Sequence, residues 1–400
     1  MTSSRLLMPI LCLLAALGIF STSLYLPSLP AIGEALSASE EAIQLTLTVF
    51  FLGSALGHLS LGPLSDRNGR LIVAKGGLIL FIAASFWCAN ADNIFSLLIG
   101  RFLQGIAASS GQLIARAMGR DLYEGTHFAR FTATIMMVIS ISPAIAPPLG
   151  GLIESYFGWE KNFYFLMVFG LIIASMVWQW LPETNKHRDL SLRFYAIFKN
   201  YGILLKNPSY GLLCLIIHLQ LAALFYYVTM SPYIFISFFG WSPQLYGYVC
   251  IATALGNIIG FSYARYRAHH VPFHRGILVG SFFCGFLSFV LAGSIFVSPI
   301  TPTFLILYVV CFFSMQALVV VNASAAAMSF FPHMAGTSSA MIGAVQISAG
   351  ILGSLLASLL PISPSVLGLA MGSLSFASFI LGIYLQNKDY LYSFRKRTSD

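Results

Sequence analysis

Apolar residues run along this chain in blocks of about twenty or more, parted by short polar stretches, and twelve blocks can be marked: 7–30, 43–64, 72–91, 94–115, 129–152, 161–181, 209–236, 245–264, 276–297, 302–327, 337–360 and 364–386. About 20 residues of α-helix cross a hydrocarbon layer of about 30 Å, so each block is long enough for one crossing. The blocks are continuous rather than alternating, which argues against a β-barrel. The pattern predicts an all-α membrane protein of twelve transmembrane helices. The first block follows Arg5 and continues to Pro30 without a convincing cleavage site, so it reads as a membrane helix rather than a signal peptide. The longest polar stretch, 182–208, divides the helices six and six. The expected organisation is an N-terminal six-helix bundle over 1–184, a cytoplasmic linker over 185–208 and a C-terminal six-helix bundle over 209–400. Such a layout suggests alternating access, with two bundles rocking about a central site.

Composition sharpens this picture. Of 400 residues, 58% are hydrophobic and 8% charged, against about 25% charged in soluble domains, which leaves no room for a sizeable soluble domain. The net charge of +8 would allow a nucleic-acid partner, but its distribution speaks for membrane topology instead. With a cytoplasmic N-terminus, nineteen of the 21 Lys and Arg residues lie in the termini or the even-numbered loops, with Lys161 outside and Arg101 within a span. The positive-inside rule then puts both termini in the cytoplasm, and the membrane is read as the bacterial inner membrane. The six cysteines (Cys12, Cys88, Cys214, Cys250, Cys284, Cys311) all fall in apolar runs without metal-type spacing and read as small buried side chains. No metal-ligand cluster, nucleophile motif or phosphate loop stands out, so no enzyme activity, metal or cofactor is expected. Small-xxx-small pairs at Gly53/Gly57, Gly256/Gly260, Gly276/Gly280 and Gly368/Gly372 are suited to close helix packing in lipid.

Three motifs carry chemistry. The loop after the second helix reads Gly62-Pro63-Leu64-Ser65-Asp66-Arg67-Asn68-Gly69-Arg70. Its acid–base cluster and glycines suit a tight turn, and it resembles the G-x-L-x-D-R-x-G-R signature of the major facilitator superfamily. The resemblance implies a cytoplasmic gate formed by Gly62, Asp66, Arg67, Gly69 and Arg70, to which we join Arg116 of the fourth helix. It would set Asp66 near the start of the eleventh helix, around Gly336-Thr337-Ser338, where unpaired N–H groups favour a carboxylate. The fourth helix carries Arg101-Phe102-Leu103-Gln104-Gly105, similar to the superfamily's R-x-x-Q-G. A charge at depth costs roughly 2.5–3.5 kcal/mol on insertion scales, so Arg101 should face a cavity or a partner. The fifth helix, Ser142-Pro143-Ala144-Ile145-Ala146-Pro147-Pro148-Leu149-Gly150-Gly151, resembles the proline–glycine antiporter motif, with Ser140 nearest its first Gly position. Pro143 and Pro147 should bend it, and Gly150 and Gly151 should let it approach the eighth helix at Gly256 and Gly260. Within the superfamily that motif marks exporters. Further stretches, Leu24-Tyr25-Leu26-Pro27-Ser28-Leu29-Pro30, Ala115-Arg116-Ala117-Met118-Gly119-Arg120-Asp121-Leu122, Ser231-Pro232-Tyr233 and Ala335-Gly336-Thr337-Ser338-Ser339-Ala340 with Gln346, narrow the resemblance to the Bcr/CflA group of multidrug exporters.

One position departs from that group. Its drug:proton antiporters usually carry an acid in the first helix, where this chain has Ser23. None of the thirteen acids falls near the middle of a predicted span, although Glu34 could turn inward. Proton coupling would then need His218, His58 or a carboxylate nearer the rim. Arg101 could lack an internal counter-ion, which would favour anions. Candidates for the substrate cavity and coupling are Ser23, Tyr25, Arg101, Gln104, Met137, His218, Tyr226, Tyr227, Asn257, Asn322 and Gln346. Two readings stay open: an exporter of small amphipathic compounds, with protons as the coupling ion, or a narrow carrier of an anionic metabolite such as a carboxylate siderophore or organic acid. A channel and a receptor are further classes. The expected partners are the small-molecule substrate and membrane lipid, with no nucleic acid, and the expected form is a monomer.

Overall fold

The structure, a computed structural model, describes residues 4–185, 201–267, 272–296, 300–331 and 334–397. The predicted basic positions Lys186, Arg188, Arg193 and Lys199 lie outside these. Twelve helices are long and apolar enough to span a membrane: α1 (Leu6–Ala35), α2 (Glu40–Asn68), α3 (Arg70–Ala89), α4 (Ile94–Leu122), α5 (Arg130–Phe157), α6 (Glu160–Trp180), α7 (Pro208–Phe238), α8 (Pro243–Tyr266), α9 (Phe273–Gly293), α10 (Pro302–Phe330), α11 (Thr337–Leu359) and α12 (Pro364–Asn387). Among the described residues there is no strand.

Local chemistry explains the ends. Ser39, Asn93, Asn207 and Thr301 cap α2, α4, α7 and α10, each accepting from a backbone N–H of the first turn. These side chains satisfy donors that have no partner inside the helix. Helix α1 is not uniform. Its regular part ends at Ser23, residues 26–28 form a 3-10 turn around Pro27, and a short helix follows over Leu29–Ala35. Helix α4 runs to Leu122, beyond the apolar run that ended the expectation at 115, because its last two turns are polar yet remain helical. Helix α7 ends in a π-helical turn over Tyr233–Phe238, directly after Pro232.

The chain divides into two compact units, residues 1–194 with 235–251, and 195–234 with 252–400. In the first unit the close approaches are made by glycine. A Cβ at Gly53 or Gly57 of α2 would strike the backbone of Phe102 and Ile106 in α4, and one at Gly105 would strike Phe50 of α2. In α5, Gly150 lies against the Leu24 carbonyl at the break in α1, and Gly151 against the Pro243 carbonyl and Gln244 at the start of α8. In the second unit Gly256 and Gly260 of α8 face Val310, Phe313, Ser314 and Ala317 of α10. Gly256 and Gly260, expected to receive the α5 glycines, thus have α10 as their nearest neighbour. Helix α5 meets the first turns of α8, at Pro243 and at Gly247, which sits on Pro147 and Pro148. Gly276 and Gly280 pack on α10, and Gly368 and Gly372 on α9. The apolar core of the second unit includes Tyr210, Leu213, Ile217, Ile277, Val319 and Ile342.

Polar side chains inside the spans mostly turn back onto their own helix. Ser21, Ser110, Ser142, Thr229, Ser314 and Ser354 each donate to a carbonyl three or four residues earlier. This is how a hydroxyl is satisfied where water is absent.

Candidate functional site

In the first unit the break in α1 faces the middle of α4, and the two build a cationic cluster. Arg101 has 0% exposure. Its guanidinium carbon stands 4.1 Å from the ring centre of Tyr25, 4.5 Å from Phe50 and 5.9 Å from Phe163, so α1, α2 and α6 supply an aromatic cage. One terminal nitrogen donates to the Ser21 carbonyl at 3.0 Å and to Gln104 Oε1. Gln104 in turn donates to Ser85 of α3 at 2.8 Å, and the Tyr25 hydroxyl pairs with Thr46 at 3.1 Å. Nε and the second terminal nitrogen of Arg101 make no hydrogen bond of ordinary geometry. Desolvated cation–π contacts are worth about 2 kcal/mol or more, and here they stand where a carboxylate counter-ion would. Three predicted residues, Tyr25, Arg101 and Gln104, therefore come together. Ser23 is buried on the same stretch of α1, and Met137 lies 61% exposed on α5. The cage residues Phe50 and Phe163 and the outlying Ser85 and Thr46 went unseen in the sequence, since nothing in a generic Phe or Thr marks the partner it will meet.

The loop motif builds a second cluster at one end of the same unit. Gly69 joins α2 to α3 at φ +111°, a conformation that suits glycine. Arg70 is buried and donates to Asp66, to Ser65 at 2.9 Å and to Asp121 of α4 at 3.1 Å. Glu183, just after α6, accepts from the backbone N–H groups of Arg70 and Leu71, both at 3.0 Å, and from those of Thr184 and Asn185 at 2.9 and 2.8 Å. It thus caps the start of α3. Thr184 donates to Asp121 and Asn185 to the Asp66 carbonyl. Partial burial pushes the Glu183 carboxyl up, but these four N–H groups outweigh it and hold its pKa below the usual 4.5. Of the predicted gate residues, Gly62 packs near Leu113 and Arg67 is exposed. Arg116 stands apart beside His58, its Nε buried without a partner. Glu183, Thr184 and Asn185 were missed, and the only signal was an acid following Pro182.

In the second unit the predicted residues scatter. Tyr226 and Tyr227 are buried, the latter edge-on to Phe313 at 5.2 Å. His218 Nδ1 lies 3.1 Å from Ser348 Oγ, tying α7 to α11. Asn257 bonds the Thr253 carbonyl of its own helix, Asn322 bonds Leu318 and packs against Gly276 of α9, and Gln346 is exposed. Among the described acids none is fully buried; Glu34 points to the exterior, and Glu154 and Glu160 are partly buried. Among the described residues no group of three or more His, Cys, Asp or Glu could hold a metal.

Comparison with known proteins agrees with this architecture. The chain is 27% identical over 394 residues to the bicyclomycin resistance protein homolog of Haemophilus influenzae, covering 94% of this chain and 95% of the relative. It is 27% identical over 371 residues to multidrug resistance protein D of Escherichia coli, covering 91% and 92%. A solved structure of the nucleoside transporter NupG superposes with a TM-score of 0.76 at 14% identity, over 95% of this chain and 99% of that one. The sequence profile of the Major Facilitator Superfamily matches residues 11–354. With twelve apolar helices, the signature loop folded around Arg70 and a profile match over most of its length, this chain is a multi-pass membrane transporter of the Major Facilitator Superfamily.

Proposed function

We propose that the chain exports small amphipathic compounds across the bacterial inner membrane by alternating access between two six-helix bundles, 1–184 and 209–400, joined by a cytoplasmic linker, with both termini in the cytoplasm. The observation that carries this reading is the α5 surface. Pro143 and Pro147 lie in a helix that stays continuous, and Gly150 and Gly151 bring it onto the break of α1 and the start of α8. That arrangement fits the exporter-type motif, and resistance-named relatives support the same reading. The cluster around Arg70 and Glu183 then serves as the cytoplasmic gate, with the exposed Asp66, paired here to Arg70, exchanging that partner for the start of α11 when that side closes. Expression in a strain lacking its own efflux pumps should lower the accumulation of cationic and neutral amphipathic dyes several-fold. Unchanged accumulation for every dye tried would refute export.

A second reading, a carrier for a carboxylate-bearing metabolite, is favoured by the full burial of Arg101 without a described carboxylate beside it. Its aromatic cage is the competing account of that charge. A ligand panel graded in charge separates the two: a preference for anions that Arg101→Lys removes supports the carrier, and indifference to ligand charge supports export.

A further inference from the structure

Glu154 lies one turn before the end of α5. One of its carboxyl oxygens, Oε2, is buried and receives no hydrogen bond. The hydroxyl of Ser28, in the 3-10 turn that breaks α1, donates to the carboxylate's other oxygen. Ser28 is fully buried and accepts from Asn162 Nδ2 of α6 at 2.7 Å. The same Nδ2 donates to the Gly150 carbonyl at 3.2 Å. A carbonyl can only accept, so the orientation of the Asn162 amide is determined, and its Oδ1 points away. That oxygen, on a side chain of 0% exposure, also receives no hydrogen bond. The node where α1, α5 and α6 meet therefore holds two buried acceptors with no donor among the described residues. Buried acceptors are rarely left so. A carboxylic acid, unlike a carboxylate, carries an O–H to give and no charge to bury.

The charges around it do not offer an alternative. Glu160, at the start of α6, acts on Glu154 with a charge of the same sign. The α1 turn is Leu26, Pro27 and Ser28, and the first turn of α8, which packs on Gly151, offers Pro243 and Gln244. Lys161 sits 5.0 Å over the Tyr164 ring instead.

We propose that Glu154 is a proton-binding residue, loaded from the aqueous side nearest the end of α5, and that taking up a proton alters its contact with Ser28 on the broken segment of α1 and so governs the transport rate. The transport arm of the test rests on the export reading above, whereas the spectroscopic arm does not. Infrared difference spectra of the full-length protein in lipid, taken between mildly acidic and mildly alkaline buffer, should show a protonated-carboxyl stretch. Glu154→Gln should lose it, Glu160→Gln should keep it, and Asn162→Ala should shift it. In proteoliposomes the several-fold dependence of dye transport on the pH at that face should be flattened in Glu154→Gln. Glu154→Asp, which keeps a titratable group, should restore part of it, and monodisperse elution of each variant checks folding. A band unchanged in Glu154→Gln, or a pH profile that superposes on the wild type, overturns the proposal. So does a sodium-dependent stabilisation lost in Glu154→Gln without any carboxyl band, which would make the node a metal-cation site. If no dye is transported by the wild type yet the band is lost in Glu154→Gln, the proton site stands and the export reading falls.

Discussion

At Arg101 a full positive charge is held at zero exposure by rings and two hydrogen-bond acceptors, with no acid among its described contacts. Such a site tolerates neither loss of the charge nor loss of its planar shape, because a guanidinium stacks on rings in a way an ammonium does not. Arg101→Ala should destabilise the detergent-solubilised protein by about 3 kcal/mol, the scale of a desolvated cation–π contact with charged hydrogen bonds. Arg101→Lys should cost less, and Tyr25→Phe, which keeps the ring and loses only the Thr46 bond, about 1 kcal/mol. Thermal melts of the three variants test that order. Glu183 yields a pH prediction. Its folded pKa is depressed below 4.5, so its contribution to stability is present above that value and fades as the pH falls through the folded pKa. The melting temperature of wild type should therefore exceed that of Glu183→Gln at neutral pH, and the gap should narrow in acid. A gap that does not change with pH would show that the cap works through shape rather than charge.

At the scale of the helix, the glycines differ in what an added Cβ would meet: backbone, a side chain or nothing. Backbone cannot swing aside, so a methyl group added at Gly150 or Gly151 must push α5 off the α1 break or the α8 start. Each Ala substitution should cut transport strongly and lower the melting temperature by several degrees. Gly76 of α3 has nothing within 4 Å of an added Cβ, and Gly76→Ala should be neutral or stabilise by up to about 1 kcal/mol, the difference in helix propensity. The helices themselves were legible because an apolar run of fixed length has one outcome in lipid, and the end of α4 shifted where polar residues continued the helix, at Arg116–Leu122. Which neighbour each glycine meets was not legible. Gly256 and Gly260 read as natural partners for α5, yet they face α10, because helix pairing depends on where separated chain segments lie rather than on spacing within one.

For the molecule as a whole, the proposed topology makes a labelling prediction. Single cysteines placed at Lys206 and Arg275, in a background without the native six, should react with an impermeant reagent only from the cytoplasmic side, and cysteines at Asp92 and Ser155 only from the outside. Reaction of Lys206 and Asp92 positions from the same face would reverse or dissolve the two-bundle arrangement. The chain alone determined that this is a membrane protein of twelve helices with a superfamily signature, since hydropathy, length and a short contiguous motif are local properties. Only the tertiary structure decided that Arg101 is caged by Tyr25, Phe50 and Phe163, that Glu183 caps α3 from 113 positions away, and that Glu154 shares a node with Ser28 and Asn162. Those contacts join residues far apart in the chain, and a buried charge or an unmet acceptor is defined by what surrounds it in space.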